Sequence, residues 1–487
     1  MVSMKTTSIA TGFLSLLLVV GLMMLSVPVV DLLSGEPVSM SFLFFSVLYI
    51  GVGFSGVMVL TRFNSVREMG FLEAYIVSTA SWLVIPSLAA LPLMREINIS
   101  FIDALFESIS GFTGTGFTVL NDIDHLKKSI NWWRALMQWS GELGFVVFAM
   151  VIIPFFWKFG YTLYGLERPV RVMRTLRSTA RRIIEIYMVF TLAGIILLYY
   201  SGVDFYDAII HTMTAIATGG MSNYSMNYEA VYDYAPFSII PAIFIMVIGG
   251  MNFLALSQLL DFRFKDVLRN DEVKYYFISL CILSLLATLV FMLHNTGLTY
   301  SIVLGFFNTV SAMTTTGFNI GNIGSFPNGV KIVLVVAMII GGMTFSTAGG
   351  IKVYRLIVLL RKFSSYSTST LLRERVSLHV VVDGKTLEEE EVSGALLIII
   401  LHLITIFFIA SVTKIFLPST DFLDAIFEAA SATGCVGLST GITSSSTPLL
   451  VKIALMIGMY LGKTEYLPLI VLTSYLIHRG VIKTFTS

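Results

Sequence analysis

The sequence predicts an all-α polytopic membrane protein: two N-terminal helices, then four repeats of long helix, short segment and long helix. Three observations carry that expectation. Of the 487 residues, 56% are hydrophobic and only 13% are charged, and the mean hydropathy is +0.85; a soluble chain carries roughly 25% charged residues. Many apolar runs reach the about 20 residues that a bilayer crossing needs. Between pairs of these runs, a half-length segment ending in Gly, Thr and Ser recurs four times, which is repetition on the scale of a fold.

In chain order, the first two spans are expected at 8–32 and 40–61. The first has no small-residue cleavage site and reads as a retained helix rather than a signal peptide. The repeats follow at 70–94, 102–118 and 130–157; at 181–201, 205–222 and 236–260; at 274–295, 303–319 and 329–360; and at 393–417, 423–439 and 449–478. That makes ten spans and four re-entrant segments. The units are 1–62 for the helix pair, then repeats 63–158, 159–265, 266–375 and 392–487, with a linker at 376–391. The linker alternates at Leu378, Val380 and Val382, turns at Asp383-Gly384, and reads as a small surface hairpin.

Charge placement orients the chain. Lys5, Arg62 and Arg67 fall on one side, with Lys158, Arg168, Arg171, Arg174, Arg177, Arg181 and Arg182 in the 158–182 loop. Arg263, Lys265, Arg269 and Lys274, the 352–391 loop and the C-terminal tail fall there too. That side is expected to be cytoplasmic, with both termini inside and the short segments dipping in from outside. The net charge of +1 gives no reason to expect a nucleic-acid partner; lipid is the surrounding solvent. Cys281 and Cys435 are too few for a disulfide framework or a zinc site.

The short segments 103–118, 207–222, 304–319 and 424–439 align without gaps. Gly116, Gly220, Gly317 and Gly437 share one column, and Ser110, Thr214, Ser311 and Ser431 lie six positions earlier. Asp103, Asp207 and Asp424 stand where an N-cap is expected, while Leu304 breaks that column. Each unit reads as a helix too short to cross, followed by an extended Thr/Gly stretch. Irregular backbone at membrane depth is tolerated only where protein buries it or where it lines a watery path. Glycine admits φ > 0, so successive carbonyls can face one way, and four such stretches around an axis would replace an ion's water shell. The short helices' negative ends would also favour a cation. One such segment alone would be an ordinary small-residue helix contact; four copies in register, each between two spans, point to pore loops around a pseudo-four-fold axis.

With Ser-Gly-Phe-Thr-Gly-Thr-Gly at 110–116, Ala-Thr-Gly-Gly-Met-Ser at 217–222, Thr-Thr-Thr-Gly-Phe at 314–318 and Val-Gly-Leu-Ser-Thr-Gly at 436–441, the chain resembles the Trk/Ktr/HKT superfamily of potassium transporters, specifically its Trk branch. Gly-Gly-Met-Asn-Phe at 249–253 and Gly-Gly-Ile-Lys-Val-Tyr-Arg at 349–355 also fit, and the resemblance covers essentially the whole chain. It implies potassium as the transported ion, with no organic cofactor. It implies coordination by backbone carbonyls of Gly114, Thr115 and Gly116; Thr218, Gly219 and Gly220; Thr315, Thr316 and Gly317; and Cys435, Val436 and Gly437. A serine in place of the first-repeat glycine marks sodium-preferring plant relatives; Gly116 therefore favours potassium. The resemblance further implies a homodimer and a cytoplasmic nucleotide-binding regulatory ring.

Below the repeated segments, Gly341, Gly342, Ser346, Thr347, Gly349 and Gly350 interrupt the second long helix of repeat three. Glycine pairs break helices, and the resemblance implies a gating intramembrane loop; a packed kink is the plainer alternative. Phe345 and Ala348 stand where relatives carry smaller residues or glycine. Lys463 lies mid-span, where a charge is costly and usually faces a cavity. Relatives carry arginine there, pointing into the pore. The alternative is a structural pair with Glu465, although a spacing of two puts the residues on different helix faces. Glu142 either neutralises Lys463 across the bundle or faces a cavity. No zinc-protease helix and no nucleophile elbow lies among the spans, and His211 and His402 read as packing residues, so an enzyme is not expected. A sodium-conducting or poorly selective transporter of the same fold is the alternative to potassium uptake.

Overall fold

The computed structural model describes residues 6–63, 71–143, 176–294, 296–372, 380–466 and 470–471. The basic stretch 158–175, the second half of the expected 130–157 span, Leu378 and the C-terminal tail lie outside them. The chain is mainly helical, and six helices among the described residues are long and apolar enough to cross a membrane: Thr6–Ser34, Met40–Arg62, Tyr75–Glu96, Ser178–Tyr200, Asp271–Leu293 and Glu389–Phe416. These correspond to the two N-terminal spans and the first long helix of each repeat.

The N-terminal pair, α1 (Thr6–Met24) and α2 (Ser26–Ser34), returns through α3 (Met40–Phe63). Small residues let the backbones approach: a methyl group at Gly53 would meet Leu14 O at 2.8 Å, and one at Gly21 would meet Ile50 N at 2.9 Å. Repeat one comprises α4 (Phe71–Glu96), α5 (Phe101–Phe112) and α6 (Lys128–Leu143). Repeat two comprises α7 (Leu176–Tyr200), α8 (Phe205–Ile216), α9 (Tyr228–Tyr234), α10 (Ile239–Gly249) and α11 (Phe253–Leu260). After α12 (Phe264–Arg269), repeat three comprises α13 (Asp271–Leu293), α14 (Leu298–Met313), α15 (Asn328–Ile340) and α16 (Val353–Leu372). Repeat four comprises α17 (Glu389–Phe416), α18 (Phe422–Thr433) and α19 (Leu449–Lys463).

In repeats two and four the second long helix departs from the unbroken span expected of it, whereas in repeat three it is interrupted at the glycines that the sequence singled out. That of repeat two bends by 117° between α10 and α11. A methyl at Gly250 would strike the Tyr276 hydroxyl at 2.3 Å, and Asn252 caps α11 by accepting from Ala255 N at 2.6 Å. Hydropathy runs straight through this break, so an apolar run alone conceals it. In repeat three, residues 341–352 separate α15 from α16. In repeat four, α19 ends at Lys463, and Glu465 and Tyr466 turn with φ of 49° and 61°.

The helix caps also differ from expectation. The short helices start earlier, with Ser100, Asp204 and Asp421 at the N-cap and Gly297 before α14. Asp103, Asp207 and Asp424 therefore occupy the first turn, where a carboxylate still meets the positive helix end. Ser100 is the true cap of α5: its hydroxyl accepts from Asp103 N at 3.1 Å and donates to the Asp103 carboxylate at 2.8 Å. The aspartates serve contacts between elements instead. Lys452 of α19 reaches Asp103 at 2.6 Å, and Lys331 of α15 reaches Asp424 at 2.7 Å. Asp207 accepts from Asn223, Tyr224 and Tyr234 at 2.6–2.7 Å. Most residues of each short helix are buried.

The expected hairpin forms, with β1 (Val381–Val382) antiparallel to β2 (Lys385–Thr386). Asp383 and Gly384 both take positive φ, the geometry a two-residue hairpin turn requires. The hairpin is docked rather than loose: Asp271 N donates to the Asp383 carboxylate at 2.7 Å, and Arg361 pairs with Asp271 at 2.6 Å.

Candidate functional site

After each short helix the four backbones follow one path. The helices close at Thr113, Ala217, Thr314 and Gly434, all right-handed. The next residue, Gly114 (φ 69°), Thr218 (49°), Thr315 (56°) or Cys435 (53°), is left-handed. So is each column glycine: Gly116 (86°), Gly220 (67°), Gly317 (82°) and Gly437 (89°). A threonine at positive φ is a genuine outlier, costing of order 1–3 kcal/mol and persisting only where its surroundings force it.

Those surroundings are the short helices' own polar column. The amides of Thr115, Gly219, Thr316 and Val436 donate to Ser110 O, Thr214 O, Ser311 O and Ser431 O at 2.8–2.9 Å. With the amides tied back to the helices, the carbonyls of the same stretches face away from them. The four stretches also close on one another in sequence. A methyl at Gly116 would lie 1.9 Å from Gly219 O, one at Gly220 1.9 Å from Thr316 O, one at Gly317 2.0 Å from Val436 O, and one at Gly437 2.2 Å from Thr115 O. Repeat one meets two, two meets three, three meets four, and four meets one. Only glycine fits a column where each repeat's Cα rests against its neighbour's carbonyl.

Residues 341–352 lie against this ring on the hairpin side. The Thr347 hydroxyl donates to Ile216 O at 3.0 Å and Gly249 O at 2.9 Å, and Thr218 Oγ1 lies 3.3 Å from it. Gly349 N donates to Thr315 Oγ1 at 2.7 Å, and a methyl at Gly349 would sit 2.0 Å from Gly434 O. One loop thus touches the ring segments of repeats two, three and four. Its base is pinched by Gly341 and Gly350, where a methyl on Gly350 would meet Gly341 Cα at 2.6 Å. Gly342 rests against Ala348, and the Ser346 hydroxyl donates to Met343 O at 2.6 Å. The loop is also sewn to the break in repeat two: Met343 N donates to Gly250 O at 2.9 Å, and Phe253 N to Phe345 O at 3.2 Å. The buried Glu272 carboxylate accepts from Thr344 N at 2.6 Å, Thr344 Oγ1 at 2.9 Å and Asn252 Nδ2 at 3.2 Å.

Lys463 pairs with Glu142, and its ammonium lies 5.2 Å from the centre of the Trp82 ring. Of the two roles open to Glu142, the fold therefore selects neutralisation of Lys463. The Glu142 carboxylate also abuts the ring, since a methyl at Gly114 would fall 2.1 Å from Oε1. Glu465 pairs with Arg355 at the start of α16, leaving no Lys463–Glu465 pair. Lys352 donates to Ala348 O within the loop. His211 is fully buried and bonded at both ring nitrogens, with Nδ1 2.8 Å from Asp207 O and Nε2 2.9 Å from Ser222 Oγ.

Sequence reasoning missed Gln138, whose Nε2 donates to the ring carbonyl of Gly219 at 2.6 Å while its Oε1 accepts from Met221 N at 3.0 Å. A lone glutamine on a helix carries no signal of such a contact. It also missed Glu272, which precedes the loop it holds by seventy-two residues.

The family model described as TrkH, cation transport protein, matches residues 40–483. An uncharacterized cation transporter, MJ1485, of Methanocaldococcus jannaschii is 31% identical over 460 residues, spanning 93% of this chain and 92% of that one. The Trk system potassium uptake protein TrkH of Escherichia coli is 29% identical over 423 residues, 83% of this chain and 86% of its own. The crystal structure of the potassium transporter TrkH from Vibrio parahaemolyticus superposes with a TM-score of 0.81, covering 96% of this chain and 98% of that one at 23% identity. That last likeness is one of fold.

Proposed function

The chain belongs to the TrkH cation transport family, a family of multi-pass membrane transporters rather than enzymes, and from that premise we propose that it takes up potassium through the ring. In this reading K⁺ sheds its water and is held by carbonyls of Gly114–Gly116, Thr218–Gly220, Thr315–Gly317 and Cys435–Gly437. The closed cycle of glycine against neighbouring carbonyl is the observation that carries it. The relatives named for potassium uptake support potassium as the ion. Each of the repeats 63–158, 159–265, 266–375 and 392–487 contributes one quadrant, and residues 1–62 flank them.

Residues 341–350 act as the gate, because a loop bonded to three ring segments must move before an ion can leave the ring on that side. Lys463 adds a fixed positive charge that repels a passing ion, and Glu142 moderates it. The basic, hairpin-bearing side is cytoplasmic, both termini lie there, and the membrane is the prokaryotic plasma membrane. The transporter works as a homodimer under a nucleotide-binding regulatory ring docked on that side, since this chain has no phosphate-binding glycine loop of its own.

The test is radiotracer flux in proteoliposomes with K⁺, Rb⁺ and Na⁺ offered separately, for the natural protein, Gly116→Ser and Lys463→Ala. K⁺ and Rb⁺ uptake exceeding Na⁺, a loss of that preference in Gly116→Ser and a raised conductance in Lys463→Ala are expected. Equal uptake of all three ions by the natural protein would establish the poorly selective alternative.

A further inference from the structure

Four residues beyond the aspartate column, each short helix carries another polar side chain: Glu107, His211, Asn308 and Glu428. All four are 0% exposed. Each reaches the chain two or three residues past its own column glycine, where the backbone leaves the ring. Glu107 accepts from Thr118 Oγ1 at 2.6 Å and Val119 N at 2.7 Å. His211 meets Ser222 Oγ at 2.9 Å. Asn308 brackets Ile320, donating to its carbonyl at 2.9 Å and accepting from its amide at 3.2 Å. Glu428 accepts from Ser439 Oγ at 2.5 Å, Thr440 N at 2.8 Å and Thr443 Oγ1 at 2.6 Å.

Side chains of three kinds, two glutamates, a histidine and an asparagine, thus perform one task at one place. What they share is a link from the rigid short helix to the exit of the ring, which fixes where the last ring carbonyl points. A buried polar group is retained only when it is bonded, and here the bonds run to the segment whose geometry an ion would read.

The four are not electrically equal. Glu107 is paired with Arg134, both side chains almost fully enclosed, at 3.4 Å. His211 and Asn308 are not anions. Glu428 has no lysine, arginine or histidine within ion-pair distance among the described residues; it is held by hydroxyl and amide donors instead. Those donors fix both of its oxygens as acceptors.

We infer that Glu107, His211, Asn308 and Glu428 are the positioning residues of the outer end of the ring, with Glu428 the dominant one because it gathers donors from three residues of that exit, Ser439, Thr440 and Thr443. The inference rests on the potassium-uptake reading and adds to it the residues that set affinity and selectivity from behind the carbonyls. Replacing Glu428 with glutamine keeps the shape but turns an amide NH₂ toward donors that need an acceptor. Leaving such buried donors unsatisfied shifts an equilibrium by about tenfold.

The experiment compares K⁺ and Na⁺ tracer uptake by the full chain in liposomes, for the natural protein, Glu428→Gln and Thr443→Val. Half-saturation and maximal rate are each normalised to inserted protein. Absence of K⁺ uptake by the natural protein overturns the uptake reading itself. Given uptake, Glu428→Gln is expected to raise the K⁺ half-saturation concentration about tenfold and to lower the K⁺/Na⁺ ratio, with a smaller change in maximal rate. Unchanged half-saturation and ratio, with only less inserted protein, overturns the positioning role and leaves uptake intact. If Glu428→Gln does not insert, Thr443→Val decides, because it removes one donor and no charge. A shift of about threefold in the same direction supports the inference, and no shift overturns it.

Discussion

In the ring, four segments of differing sequence take a single backbone path, each with a left-handed residue two before a left-handed glycine and each amide tied to a Ser or Thr carbonyl. In the layer on the hairpin side, the four repeats contribute four different things. Repeat one supplies Glu142, repeat two a helix broken at Gly250, repeat three the loop 341–352, and repeat four Lys463. The difference teaches where symmetry is useful. In the proposed reading, a dehydrated cation takes similar ligands on all sides of the ring, while the unlike layer beside it supplies the barrier.

The sharpest way to break this comparison is to spoil the symmetric half. Gly437→Ala places a methyl 2.2 Å from Thr115 O at a φ of 89°, a clash added to backbone strain of about 1–3 kcal/mol. Potassium uptake per inserted protein is expected to fall by about a hundredfold or more, measured by tracer flux. Near-normal uptake would mean that the ring is not the path.

The asymmetric half is probed by Glu142→Gln. Removing one partner of a buried pair costs about 3 kcal/mol, and both side chains are largely enclosed, at 6% and 14% exposure. Thermal unfolding in detergent should move down markedly, and Lys463→Met added to Glu142→Gln should recover most of the loss. A single variant as stable as the natural protein would show the pair to be incidental.

A smaller effect is expected at Glu272, which anchors Thr344 of the loop to α13 beside the docked hairpin. Glu272→Gln weakens that anchor by about 1–2 kcal/mol. Basal flux without any partner is expected to rise several-fold, about fivefold, with selectivity unchanged. A fall in selectivity would mean that the loop shapes the ring rather than closing it. Least is expected from Ser100→Ala, which removes the cap of α5 at about 1 kcal/mol. Stability should drop by that amount while the K⁺/Na⁺ ratio holds.

The membrane class, the first long helices and the glycine column were legible because their signals are local or repeated. An apolar run announces itself within about twenty residues, and a motif present four times can be aligned with itself. Asp103, Asp207 and Asp424 were correctly singled out but assigned as caps. Lys452 and Lys331, which lie on other elements, take Asp103 and Asp424 into ion pairs instead, and Asp207 accepts from Asn223, Tyr224 and Tyr234. The column of Glu107, His211, Asn308 and Glu428 was present in the same alignment, yet it mixes two glutamates with a histidine and an asparagine, so only their common destination reveals it.

By itself, then, the sequence determined that the chain is a membrane protein with four glycine-marked loops, because hydropathy and left-handed backbone are properties of short stretches. The tertiary structure alone decided that Glu142 meets Lys463 across 321 residues, that Gln138 reaches Gly219, and that the helix of repeat two breaks where Tyr276 crowds Gly250. Each of these depends on how distant helices are brought together, and a buried charge or a close glycine contact acquires its meaning only from the neighbour that folding supplies.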